Sequence, residues 1–234
     1  MNTFEYTDEL TCEDICRKIR DDEPFAFSRW GDGEWNCIWQ RGDKNCDNHL
    51  YFTDLGERLL EILKGHPEYY VGMQPLSIRI FGNKIPAFFK RYNLTDLKWV
   101  NADVLHDASV ADFLEEFFAA LKGKNVLLVG PERLNALGWP MVTIPLENCW
   151  KEHDRILHDI QTWMASGRLA DVVLFCAGPL SNPLIDELWK WDDGDTTLLD
   201  CGSLLAPYIG LPIRRYHPKL IQRLKERDDA KGNA

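Results

Sequence analysis

The stretch FAFSRWGDGEW, Phe25 to Trp35, decides how the rest of the chain is read. It opens as an apolar strand and then sets an arginine, two glycines and two carboxylates within Arg29–Glu34, bracketed by Trp30 and Trp35. A glycine-broken polar cluster at the carboxyl end of a strand is where open α/β sheets bind ligands. Asp32 and Glu34, two apart in an extended or turning segment, are expected to point at one ion. A magnesium or manganese ion takes one or two protein carboxylates and completes its shell with water and phosphate oxygens. Gly31 and Gly33 leave the backbone free to bend toward a phosphate, and the Arg29 guanidinium offers a planar fork for two of its oxygens. Trp30 and Trp35 read either as core or as a face for a base or sugar. On spacing alone GDGE is also an ordinary solvated turn, in a chain with 37 acidic residues.

Outward from that stretch, apolar runs of strand length alternate with helical patterns. Strands are expected at 25–29, 69–73, 98–102, 125–129, 141–145, 171–176 and 197–200. NVLLVG and DVVLFCAG are continuous apolar runs ending in glycine, which is how a strand buried on both faces of a parallel sheet reads. Helices are expected from Thr53 to a stop at Gly65, from an N-cap at Ser109 to Gly123, from about Glu147 to Ser166, and over 181–191 with Asn182 as cap and Pro183 at the first turn. The expected fold is α/β: an open, mostly parallel Rossmann-like sheet with helices on both faces. A single domain spans 1–234, with its core at about 24–210 and a basic helical tail at 211–234. Four strand ends are rich in glycine and polar groups: RWGDGE, VGPERLNALG, CAGPLSNP and LLDCGS. None is a G-x-G-x-x-G or P-loop motif.

Composition narrows the function classes. The net charge of −10 offers no basic face of the kind a duplex-binding protein needs. The charge is uneven, since RRYHPKLIQRLKER, Arg214 to Arg227, carries six Lys/Arg and one Glu. That tail reads as a solvated helix with Leu220, Ile221 and Leu224 turned inward, or as a patch for a phosphate-bearing acceptor. Seven cysteines are scattered without a C-x-x-C pair, which fits reduced thiols, with Cys176 and Cys201 as core residues. No apolar run approaches the roughly 18 residues of a transmembrane segment, and the acidic N-terminus lacks the basic start and apolar middle of a signal peptide. The expected location is cytoplasmic.

FAFSRWGDGEW resembles the Arg-aromatic-Gly-Asp-Gly-Glu-aromatic signature of the GT-D type glycosyltransferases, a family first catalogued as a domain of unknown function. YYVGMQ, KNVLLVGPERLNALG, DVVLFCAGPLSNPLIDEL and TTLLDCGSL resemble later blocks of that family, in the same order, from about Pro24 to Ile209. The resemblance implies a transferase that moves a sugar from a nucleoside-diphosphate sugar, UDP-linked by expectation, to an acceptor hydroxyl on a glycan, a glycoprotein or a modified nucleobase. It implies a D-x-E site for Mn²⁺ or Mg²⁺ at Asp32 and Glu34, with Arg29 and Gly31 beside the diphosphate. Gly178, Pro179 and Ser181 fall in the loop facing the nucleotide, and Arg133 matches an arginine after the fourth strand. Ser203 stands where the family has His after Asp-x-Gly, and NADVLHDAS departs from the pattern.

Such chemistry needs stabilisation of charge on the departing phosphate and a base for the acceptor hydroxyl. His106, with Asp103 and Asp107 near it after a strand end, is the candidate base, although a lone histidine also serves as a structural residue. Two other classes remain open: a metal-dependent hydrolase of nucleotide sugars or phosphoesters, and a non-catalytic nucleotide-binding module.

Overall fold

The computed structural model describes residues 4–112, 114–166 and 170–232. Among these, seven strands form one sheet: β1 (Ala26–Trp30), β2 (Tyr70–Met73), β3 (Trp99–Asn101), β4 (Val126–Pro131), β5 (Met141–Ile144), β6 (Val172–Phe175) and β7 (Thr197–Asp200). Their spatial order is β3-β2-β1-β7-β6-β4-β5, and every pairing is parallel. The expected sheet is thus present and parallel throughout. All the strand ends therefore open on the same edge. β4 leads outward to β5 while β6 leads inward to β7, so the connections diverge between β4 and β6, the position at which such sheets form a crevice.

The apolar runs are buried on both faces, as their composition demands. Leu127, Val129, Val173 and Phe175 enter one core, and Val126, Leu128, Val172 and Leu174 enter the other. The first core is covered by α2 (Asp32–Ile38), α3 (Thr53–Lys64), α5 (Lys84–Tyr92), α8 (His153–Ala165) and α9 (Ser181–Trp191), with α4 (Pro75–Phe81) beside α2. The second is covered by α1 (Cys12–Arg20), α6 (Val104–Asp112) and α7 (Glu115–Leu121). α1 precedes residue 24 and still buries Ile15, Cys16 and Ile19; α10 (His217–Gly232) follows residue 210 and buries Leu220 and Leu224. Ile221 is only half-buried.

Several local expectations are corrected. No continuous helix starts at Ser109: α6 ends at Asp112, Leu114 adopts a left-handed conformation at φ 57°, and α7 starts anew. Ser109 is buried inside α6, its hydroxyl 3.0 Å from the Tyr208 hydroxyl. The helix expected from Glu147 begins as a 3₁₀ turn, Cys149–Glu152, and becomes α-helical at His153. α9 starts at Ser181 after a 3₁₀ turn, Gly178–Leu180, so Asn182 is a buried helical residue and not a cap. Thr53 is the first helical residue of α3 and Phe52 the cap, while Gly65 does end it. The basic helix begins at His217, which leaves Arg214 and Arg215 in the segment before it.

Candidate active site

Asp32 and Glu34 do not sit in an extended turn. They occupy the first and third positions of α2, with Gly31 as N-cap. Gly31 has φ −97° and ψ −171°, a conformation open to any residue, so flexibility is not its role. A Cβ there would lie 3.0 Å from Gln74 Oε1 and 3.2 Å from Glu34 Oε2; glycine leaves room for those two groups. Glu34 accepts the Gly31 amide at 2.7 Å, the backbone half of a capping box. Asp32 is exposed at the rim.

Trp30 and Trp35 are core residues, both fully buried. They pack at 5.9 Å, and Trp35 continues into Trp39, Phe88, Phe89 and Trp99. Burying such a ring stabilises by roughly 2 kcal/mol or more. The two tryptophans thus clamp the end of β1 and the start of α2 from below, and that holds the carboxylates over the sheet edge. Neither offers a face to a ligand.

Arg29 leans the other way. Its Nε donates to Ala102 O at 2.8 Å and its Nη2 to Asp103 Oδ1 at 3.1 Å. The fork expected for phosphate is therefore largely engaged within the protein. Its backbone amide donates to Asp200 Oδ2 at 3.2 Å, and the Gly202 amide donates to Oδ1 at 2.9 Å. Gly202 has φ +51°, and a Cβ there would strike Arg29 Nη1. Asp200 is 4 % exposed. Burial pushes its carboxyl up to about 6, against the pull of Arg29 and the two amides. Burial likewise raises Glu34 to about 7, with the charges of Asp200 and Asp32 adding to it.

These groups line a cavity of about 190 Å³ that also takes in Gly178, Pro179, Ser203, His106 and Tyr216. A second cavity of about 340 Å³, walled by Arg133, Leu134, His49, Glu147 and Ile213, shares Cys46, Asp47, Gly178, Gly202, Ser203 and Arg214 with the first. The two are halves of one crevice over the carboxyl ends of β1, β7, β6 and β4. Nine of the ten site residues read from sequence meet there: Arg29, Gly31, Asp32, Glu34, His106, Arg133, Gly178, Pro179 and Ser203. Ser181 is buried at the start of α9, with its hydroxyl facing Asp200.

His106 sits in the first turn of α6, and its buried Nδ1 has no hydrogen-bond partner. Burial holds it well below the usual histidine range, helped by Arg29, His217 and Arg214, so the imidazole is neutral. Asp103 is tied to Arg29, and Asp107 opens into a separate hollow beside Tyr6 and Asn101.

Sequence reasoning passed over Asp200, Asp47, His49 and Tyr216 as site residues, and read Arg214 with the basic tail, as solvated helix or acceptor patch, where the structure turns it into the crevice. Asp200 carried a signal, as the polar end of the last apolar strand. Asp47 and His49 lie in a loop whose sequence, DKNCDNH, marks only a turn.

Among the described residues, no three His, Cys, Asp or Glu side chains group closely enough to enclose a metal ion. Asp32, Glu34 and Asp200 do line one cavity, and the charges of Asp200 and Asp32 add to the rise of the Glu34 carboxyl. That set does not suit a protein-enclosed zinc. It suits a hard cation that takes one or two carboxylates and fills its shell from phosphate oxygens and water.

An all-parallel seven-stranded sheet with a polar crevice at its carboxyl edge defines a Rossmann-like α/β protein. Two solved structures share the fold. One is described as a highly conserved domain of unknown function 1792 with a distinct glycosyltransferase fold; the likeness has a TM-score of 0.61 at 17% identity and covers 86% of this chain and 80% of that one. The other is a selenomethionine-substituted structure of domain of unknown function 1792, with a TM-score of 0.62 at 16% identity over the same shares. The resemblance read from FAFSRWGDGEW is therefore matched by a likeness of fold over most of the chain. No family model matches the sequence, and neither does any curated protein. No helix among the described residues is long and apolar enough to cross a membrane.

Proposed function

We propose that the chain is a metal-dependent glycosyltransferase that moves a sugar from a nucleoside-diphosphate sugar, with UDP as the expected carrier, to an acceptor hydroxyl on a glycan, a glycoprotein or a modified nucleobase. The observation that supports this reading is the meeting of GDGE, Gly178–Pro179 and Asp200–Gly202 in one crevice of a glycosyltransferase-type fold. Asp32 and Glu34 would hold Mn²⁺ or Mg²⁺. When bound, such an ion neutralises the charge that grows on the departing phosphate.

The chain's own groups supply the rest. Gly178 takes φ +56°, which turns the backbone into the 3₁₀ turn ahead of α9. The amides at this helix start favour an anion or a base carbonyl. His106, neutral and lining the same cavity, takes the proton of the acceptor hydroxyl. Asp200 fixes the Arg29 and Gly202 backbones, and so sets the floor on which the donor lies.

A panel of nucleotide sugars screened by thermal shift, with and without Mn²⁺, tests the reading. The expected result is a donor-specific rise that needs the ion, followed by transfer to an acceptor. Release of free sugar with no transfer to any acceptor would move the protein to the hydrolase class. Binding without turnover would make it a nucleotide-binding module.

A further inference from the structure

Arg214 parts company with the basic helix that follows it. It turns into the crevice, where Nη1 donates to Asp47 Oδ1 at 2.7 Å and Nη2 to Asp47 Oδ2 at 2.5 Å. Both residues line both cavities. The pair is thus a bar across the crevice, at the junction a ligand spanning the two halves must cross. It joins parts of the chain 167 residues apart.

A guanidinium gripping a carboxylate through two parallel bonds is in the geometry with which it grips phosphate. The other arginines of the crevice are less able to do so. Arg29 spends Nε and Nη2 on Ala102 and Asp103, and Arg133 is exposed and lines only the larger cavity. Asp32, Glu34 and Asp200 line the smaller cavity together with Arg214, so a diphosphate there needs a cation beside those acids. The Asp47–Arg214 pair is also partly solvated, with side chains 28% and 30% exposed. Pairs in that setting exchange at modest cost.

The loop carrying Asp47 is ordered as a unit. Lys44 and Leu50 form an antiparallel bridge, the Asn45 amide donates to His49 O at 2.9 Å, and Asn45 Oδ1 accepts the amides of Asp47 and His49. Outside itself it is held by Asn48 to Glu147, by the Leu50 amide to Asn148, by the His49 ring against the Cys149 thiol, and by Arg214.

We infer that Asp47 occupies the fork that a diphosphate would use, and that Arg214 exchanges the Asp47 carboxylate for the donor's diphosphate, releasing the 44–50 loop at one of its tethers. The anion's identity rests on the glycosyltransferase reading; the competition between carboxylate and phosphate for one guanidinium rests on geometry.

Calorimetry with two probes, inorganic pyrophosphate and uridine diphosphate, each with Mn²⁺, tests it on the full chain. Arg214→Gln is expected to weaken both by about 10- to 100-fold, the worth of a charge-assisted pair of bonds. Arg214→Lys is expected to recover only part, because an ammonium cannot reproduce the fork. Asp47→Ala is expected to tighten both several-fold, a gain that misfolding cannot imitate. Hydrogen exchange at residues 44–50 should quicken when pyrophosphate is added to the wild-type protein. If the wild-type protein binds uridine diphosphate while Arg214→Gln and Asp47→Ala bind it equally well, the pair is a structural clasp and this inference falls alone. If the wild-type protein binds neither probe, the glycosyltransferase reading falls with it.

Discussion

The Glu34 carboxylate bends back over the start of its own helix and accepts the Gly31 amide at 2.7 Å, while Asp32, two residues earlier, stands exposed at the rim. The two members of the D-x-E pair are therefore unequal. Asp32→Ala should cost little stability, within about 0.5 kcal/mol. Glu34→Ala removes half of a capping box and should cost about 1 kcal/mol. Both substitutions are expected to abolish transfer. Urea melts set beside a transfer assay check the pair. Wild-type turnover by Asp32→Ala at saturating Mn²⁺ would remove the metal assignment.

The raised carboxyls predict a pH slope. Asp200 moves from 3.8 to about 6 and Glu34 from 4.5 to about 7, in both cases led by burial. Between the unfolded and folded values the native protein holds a proton that the unfolded chain has released. Stability therefore falls as pH rises, from about 4 through 6 for Asp200 and from about 4.5 through 7 for Glu34. Each group contributes at most about 1.4 kcal/mol per pH unit. His49, His106 and His217, held low by burial, slope the other way below pH 6.5, so the carboxyls are read from the difference between wild-type and variant profiles in chelator-treated buffer. Asp200→Asn should remove the lower part of the slope and Glu34→Gln the upper part, whatever each does to absolute stability. Mn²⁺ should restore stability above pH 7, where both carboxylates are charged. Variant profiles that run parallel to the wild-type one would show that neither carboxyl is raised.

Two glycines of the crevice separate binding from folding. Gly178 has φ +56°, and a Cβ there would make only ordinary contact, at 3.5 Å from His49 Cδ2. Gly178→Ala should cost about 1 kcal/mol for its conformation and weaken nucleotide binding by more than that. The larger Gly178→Val adds β-branched strain. Gly202 also has a positive φ, and its Cβ would run into Arg29. Gly202→Ala should cost about 2–3 kcal/mol and displace Arg29 from Ala102 and Asp103. Thermal melts and donor calorimetry on the two alanine variants distinguish them. Unchanged donor affinity in a folded Gly178→Ala protein would take that turn out of the site.

The sheet was legible because its strands are buried on both faces, and runs such as NVLLVG and DVVLFCAG have no polar partner pattern to confuse them. The helices were less so. α2 was hidden because GDGE reads as a turn, and glycine at an N-cap looks the same in sequence as glycine in a loop. The break between α6 and α7 follows from Leu114 in a left-handed conformation, a choice set by tertiary packing that propensity does not encode. Asp32, Glu34 and Gly178 were legible through strand-end chemistry. Asp47 and Arg214 were not, because their partnership exists only across 167 residues of chain. Reading Arg214 with its basic neighbours assigned it to a surface it does not share.

The remaining positive charge of the tail bears on the acceptor. Arg223 bonds Val110 O and Arg227 pairs with Glu115, so these two hold α10 against the fold. Arg215 and Lys219 are exposed. A phosphate-bearing acceptor, lipid-linked or nucleic acid, would be drawn to them, and the attraction would fade as the screening length drops from about 10 Å at 0.1 M salt to about 3 Å at 1 M. A neutral glycan or glycoprotein would not respond. Replacing Arg215 and Lys219 with glutamine is therefore expected to raise the acceptor KM at low salt by several-fold, to flatten its salt dependence, and to leave donor affinity unchanged, since neither residue lines the crevice. Arg214 is kept intact in this variant, so that a loss at the donor site cannot pass for a loss at the acceptor. Steady-state transfer measured from 0.05 to about 1 M salt on both proteins decides the matter. Identical curves would make Arg215 and Lys219 solvated surface and would favour a neutral acceptor.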